Sequence, residues 1–142
     1  MGFTNPSDAE IWRILSASAT VAVVGCSKRP ERDSLRVAKL LMRKGFKVIP
    51  VNPRLEPDAL LEVLGERCYP DLASIPMPVD IVDVFRRPEY LPQIARDAAA
   101  KGARVLWCQL GVVNLEAATL AQAAGMTVVM DRCPAIEYSR LF

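Results

Sequence analysis

The sequence predicts an α/β protein with a doubly wound parallel sheet of about five strands and helices on both faces. Two observations predict it. Short, β-branched, almost continuously apolar runs recur at similar intervals, as strands buried on both faces require. Segments of helical periodicity separate them, which makes right-handed βαβ units. A further feature bears on the ligand and not on the fold: Lys28, Arg29, Arg32, Arg36, Arg54, Arg86 and Arg87 all fall in or just after the turns from strand to helix.

In chain order, a helix over about 7–17 comes first, opened by Ser7 and Glu10 in capping-box spacing. "TVAVVG" (20–25) is the first strand. The helix after it carries Leu35, Ala38, Leu41 and Met42 on one side, Arg36, Lys39 and Arg43 on the other, and Gly45 as its stop. "FKVIPVN" (46–52) is the second strand and "VDIVDVF" (79–85) the third. Between them, "PRLEPDALLEVLGERCYPDLASIPMP" is rich in proline and turns, and holds one short helix or a hairpin. "PEYLPQIARDAAAKG" reads as a helix with its prolines at the start and Gly102 at the end. "ARVLWCQL" (103–110) is the fourth strand, Asn114 caps the helix "LEAATLAQAAG", and "MTVVM" (126–130) is the fifth strand. The expected strand order is 3-2-1-4-5.

At 142 residues the chain has the length of one domain, spanning 1–142 with the 7–17 helix packed on it. A chain of this size buries roughly two-thirds of its unfolded surface. With 51% hydrophobic and 24% charged residues it falls outside the disordered class, and its apolar runs are too short to span a membrane. The opening "MGFTNPSDAEIW" has no basic-then-apolar leader, and Pro6 breaks the acylation pattern that Met1-Gly2 could start, so a cytoplasmic address is expected. The net charge of +2 does not indicate a nucleic-acid partner. Cys26, Cys68, Cys108 and Cys133 form no C-x-x-C pair, and there is no histidine, so neither a metal centre nor a disulfide framework is expected.

Ligands of doubly wound sheets bind beyond the carboxyl ends of the strands. That rule selects the loops 25–34, 52–56, 85–88 and 109–114. In the first, "GCSKRPERDS", Gly25 permits a sharp turn and close backbone approach, Ser27 and Ser34 offer hydroxyls, and the next helix offers unpaired N–H groups to an anion. A plain polar loop with Ser34 as a cap is the alternative. In the second, "VNPR" puts Asn52 and Arg54 where an NAD-binding domain carries an acid for the ribose hydroxyls. Arg54 suits a phosphate on the adenosine ribose instead, which both NADP and coenzyme A possess. In the third, Arg86 and Arg87 follow a buried strand, either facing a ligand or paired with Asp83 or Glu89; Asp80 and Asp83 read as residues that orient turns. The fourth supplies Gln109 and Gly111. Cys26 and Cys133 sit near basic residues that lower a thiol pKa, or else are small packed residues.

The segments "VAVVGCSKRPERDSLRVAKLLMRKGFKVIPVNPR", "LGERCYP", "VDIVDVFRRPE", "VLWCQLGVVN" and "VVMDRCPAIEYSRL" resemble, in order and over about residues 7–142, the small bacterial and archaeal CoA-binding proteins. These are similar in turn to the CoA-binding domain of the succinyl-CoA synthetase alpha subunit. The resemblance implies a Rossmann-like domain with the CoA phosphates near Gly25, Ser27 and Lys28, and Arg36 contributing from the following helix. It implies that Asn52, Pro53 and Arg54 line the adenosine side, that Val84, Phe85, Arg86 and Arg87 border the nucleotide, and that Gln109 and Gly111 lie toward the pantetheine. Cys26 departs from the small or aliphatic residue expected in that turn. The synthetase works through a phosphorylated histidine on a second domain, and with no histidine here ligation by that route is not expected.

The expected function is binding of coenzyme A or an acyl-CoA by a stand-alone module without catalysis. An NADP-binding oxidoreductase and a CoA-responsive regulatory subunit with an unknown protein partner are the alternatives.

Overall fold

The computed structural model describes residues 3–142, so Met1 and Gly2, the start of the discounted acylation pattern, lie outside the described residues. The elements are α1 (Asp8–Ala17), β1 (Thr20–Val24), α2 (Asp33–Arg43), β2 (Lys47–Val51), α3 (Leu61–Leu64), β3 (Ile81–Val84), α4 (Leu91–Lys101), β4 (Val105–Cys108), α5 (Leu115–Ala123), β5 (Thr127–Val129) and α6 (Pro134–Leu141). One turn of 3-10 helix, Pro88–Tyr90, precedes α4, so the expected helix over "PEYLPQ" begins tighter than an α-helix.

All five strands are parallel, in the order β2-β1-β3-β4-β5. This corrects the expected order, because the third strand pairs with β1 (Val21 opposite Ile81, Val24 opposite Val84) and not outside β2. The reason lies on the outer edge of β2. There Tyr69 makes a single parallel bridge to Val51, donating its N–H to Pro50 O (3.0 Å) and accepting from Asn52 N (2.9 Å). Pro50 faces that edge without an N–H, so the ladder ends after one bridge. The outer strand of the expected order is thereby reduced to one residue, and the undecided segment before β3 holds the short helix α3, closed by Gly65.

Each strand alternates its side chains between two cores. Ala22, Val82, Val84 and Leu106 pack with Leu91, Ala98 and Ala121 of α4 and α5. Val21, Val23, Val48 and Trp107 pack with Ile11, Leu15, Leu35, Leu41 and Ala135 of α1, α2 and α6. Since the chain leaves β1 for the α2 layer and β3 for the α4 layer, the loops after these adjacent strands diverge and open a crevice at their carboxyl ends.

The capping signals are realised at two helices. Ser7 accepts from Glu10 N (3.2 Å) at α1, and Asn114 accepts from Ala117 N (2.9 Å) at α5. At α2 the cap position is Arg32, with no side-chain hydrogen bond. Ser34 is inside the first turn. No helix among the described residues is long and apolar enough to cross a membrane.

Candidate functional site

The loop after β1 is fixed by contacts of its own. Gly25 has φ +87° and donates to Val51 O (2.9 Å). A Cβ there would stand 2.8 Å from Phe85 O, so the close approach that demands glycine is to the protein's own backbone at the end of β3. Beyond it, Ser27 N donates to Ser34 Oγ (2.9 Å) and Arg29 N to Ser27 Oγ (3.0 Å). Both serines therefore shape the turn. Lys28, Arg29 and Arg32 are left exposed on it, beside the uncapped N-terminus of α2.

The loop after β2 is tied to this one through Asn52. Its Nδ2 donates to Cys26 O (3.0 Å), while its Oδ1 accepts from Arg54 N (2.9 Å). Asn52 thus sets where Arg54 stands, and no acid occupies the end of β2. In the loop after β3, Arg86 lies over the ring of Tyr90, 4.3 Å from its centroid. Neither Arg86 nor Arg87 is paired with Asp83 or Glu89. Among the described residues, Lys28, Arg29, Arg32, Arg54, Arg86 and Arg87 form no ion pair, whereas Arg36 pairs with Asp33.

The two aspartates of β3 and its approach behave differently. Asp80 Oδ2 accepts from Ala19 N (2.8 Å) and Thr20 N (3.0 Å), orienting the entry to β1. Asp83 is fully buried and accepts from Gln109 Nε2 (2.8 Å), while its Oδ2 has no partner. Burial pushes its carboxyl up to about 7, a shift only partly opposed by the Gln109 hydrogen bond. The cysteines are all free and buried. Burial raises the Cys26 thiol to about 12 and pushes Cys133 up as well, so of the two readings of these cysteines it is the packed residue and not the cation-activated thiol that the structure supports.

Three cavities adjoin one another around Phe85. The first, about 680 Å³, gathers Gly25, Ser27, Lys28, Arg29, Arg32, Ser34, Asn52 and Arg54. The second, also about 680 Å³, is walled by Asn52, Pro53, Arg54, Arg86, Arg87 and Tyr90, with Pro70 to Leu72 opposite. The third, about 640 Å³, lies between α2 and α6 and includes Arg36, Phe85, Arg86, Arg87 and Gln109.

Eleven of the expected site residues are brought together in this way. Two are not: Val84 is fully buried in the α4 and α5 core, and Gly111 lies on none of these walls, its N–H donating to Asp131 Oδ1 (2.7 Å) in a turn with φ +78°. Arg36 lines the third cavity and not the one at the loop after β1, and it pairs with Asp33, which borders both. Sequence reasoning missed Tyr90 and the α6 wall. The signal for Tyr90 was its spacing four residues after Arg86 across a proline turn.

Residues 19–139 match the family described as a CoA binding domain. The chain belongs to the CoA binding domain family. As a CoA binding domain it is 45% identical over 129 residues to the uncharacterized protein YneT of Bacillus subtilis (strain 168), covering 91% of this chain and 92% of that one. It is 32% identical over 85 residues to the acetate–CoA ligase (ADP-forming) II of Archaeoglobus fulgidus, covering 58% of this chain but 12% of that enzyme. Among solved structures, a hypothetical protein from Pyrococcus horikoshii OT3 shares this CoA binding domain's fold with a TM-score of 0.89 and 39% identity, over 99% of both chains.

Proposed function

We propose that this protein binds coenzyme A or an acyl-CoA as a stand-alone, non-catalytic module in the cytoplasm, acting through the single domain formed by residues 1–142. The observation that carries the reading is the convergence of four cations that form no ion pair among the described residues, Lys28, Arg29, Arg32 and Arg54, on one cavity beside the uncapped N-terminus of α2, where they outnumber the two acids on the same wall, Glu31 and the Arg36-paired Asp33. A ligand with several phosphates neutralises such a cluster through charge-assisted hydrogen bonds. The family match and the similarity to part of an acetate–CoA ligase support CoA as that ligand.

In this reading the pyrophosphate lies at the loop after β1 and the 3′-phosphate at Arg54. The adenosine occupies the cavity of Pro53, Arg87 and Tyr90. The absence of chemistry is supported by the buried, proton-retaining thiols of Cys26 and Cys133, which are poor nucleophiles. Arg54 also suits the 2′-phosphate of NADP, so the test is calorimetric titration with CoA, acetyl-CoA, NADP and NAD. CoA and acetyl-CoA are expected to bind in the micromolar range, more weakly as salt rises. Equal or tighter binding of NAD or NADP contradicts the assignment.

A further inference from the structure

We propose, resting on the CoA reading above, that the cavity between α2 and α6 receives the acyl chain of a thioester, so that the protein selects acyl-CoAs bearing a straight apolar chain over free CoA. Its walls are Val37 and Leu40 of α2, Leu110 and Val112 after β4, and Ala135 and Ile136 of α6. Leu110 is 59% and Ile136 55% exposed, so two large aliphatic side chains on this wall stand largely in water.

The cavity's place says what covers them. Phe85, Arg86 and Arg87 line both this cavity and the one beside Arg54, and Asp33 and Phe85 line both this one and the one at the loop after β1. A ligand whose phosphates and adenosine fill those two cavities therefore sends its pantetheine arm in past Gln109 and carries any acyl chain beyond it, toward the apolar side chains of α6. At about 640 Å³ the space falls in the range of small-molecule sites.

The polar groups on the wall are Asp33, Arg36, Arg86, Arg87, Gln109 and Ser139. Asp33 and Arg36 neutralise each other, and Gln109 is committed to Asp83 through its Nε2. Arg86 and Arg87 stand on the edge shared with the adenosine cavity, with the Arg86 guanidinium over the Tyr90 ring. Cys133 is 6% exposed at this wall, and burial keeps its thiol protonated, so a bound thioester is held and not attacked.

The test is titration of the full chain with CoA and with acetyl-, butyryl-, hexanoyl- and succinyl-CoA. Affinity is expected to rise about threefold per methylene from acetyl to hexanoyl, the gain of burying a methylene in part. In Ile136→Asp and Leu110→Asp, both at exposed positions, the ratio of hexanoyl-CoA to CoA affinity is expected to fall at least tenfold. Chain-length-independent binding, with CoA still bound, overturns this inference and leaves the CoA reading standing. Tighter binding of succinyl-CoA than butyryl-CoA also overturns it, by making Arg36, Arg86 and Arg87 a carboxylate site. So does dimerisation of the free protein that either variant abolishes, since a second copy then covers the patch. Failure of every ligand, free CoA included, overturns both readings.

Discussion

Gly25 and Asp83 carry the two residue-level consequences that are most open to measurement. At Gly25 a side chain meets both a positive φ and the carbonyl of Phe85 at 2.8 Å, backbone that cannot give way without displacing β3. Gly25→Ala is expected to cost about 1–3 kcal/mol in urea unfolding, and a change below a few tenths contradicts the contact. At Asp83 the folded carboxyl titrates near 7 against an ordinary 3.8, so between those values the folded state holds a proton that the unfolded chain has released. Its contribution to stability is complete below about pH 4, falls as pH rises to about 7, and is level beyond. Asp83→Asn is expected to remove this part of the pH dependence, measured as the urea midpoint from pH 5 to pH 8, and an unchanged slope counts against the shift. Residue identity made Gly25 legible as a turn. The carbonyl it must clear belongs to a residue sixty positions away by sequence (Phe85), which no local pattern reveals. The basic neighbours of Cys26 and Cys133 were equally visible, but burial, which decides their thiol chemistry, depends on α2 and α6 packing over them.

At the scale of elements, the strands and the larger helices were legible because both periodicities are strong and the glycine and proline punctuation agrees with them. Two things were not. The strand order turns on Pro50, whose missing N–H matters only once β2 is known to be an edge. Helix α6 escaped because it is 8 residues long and its buried face includes Glu137, a residue that pattern reasoning places outside. The structure explains that burial: Arg140 Nε donates to Glu137 Oε2 (3.0 Å) and Arg140 Nη2 to Asp8 Oδ1 (2.7 Å), binding α6 to α1, with Arg132 3.7 Å from Glu137. Arg140→Ala leaves the buried Glu137 with Arg132 alone and is expected to lower the thermal unfolding midpoint clearly. Asp8→Ala, on the exposed side of the same cluster, is expected to lower it much less. Equal losses in thermal unfolding contradict this division of the cluster. Because α6 forms a wall of the third cavity, Arg140→Ala is also expected to perturb that cavity more than the loop after β1.

For the whole molecule, the site arises from topology: β1 and β3 are neighbours whose chains depart to opposite layers, and the loops after β1, β2 and β3 meet at Phe85. The sequence located those loops correctly despite the wrong strand order, since the carboxyl ends of parallel strands lie on one edge whatever their sequence of pairing. It could not assign Arg36 or Gly111, because which side of a loop a residue faces depends on partners such as Asp33 and Asp131. The central claim is that the cationic edge binds coenzyme A with its 3′-phosphate on Arg54, at the end of β2 where Asn52 holds the backbone. Its most direct test is a four-way titration of the natural protein and Arg54→Ala with CoA and 3′-dephospho-CoA. The substitution is expected to cost about 1.5–3 kcal/mol against CoA, as for a hydrogen bond to a charged group, and much less against 3′-dephospho-CoA. Equal losses for the two ligands, or none for either, contradict it.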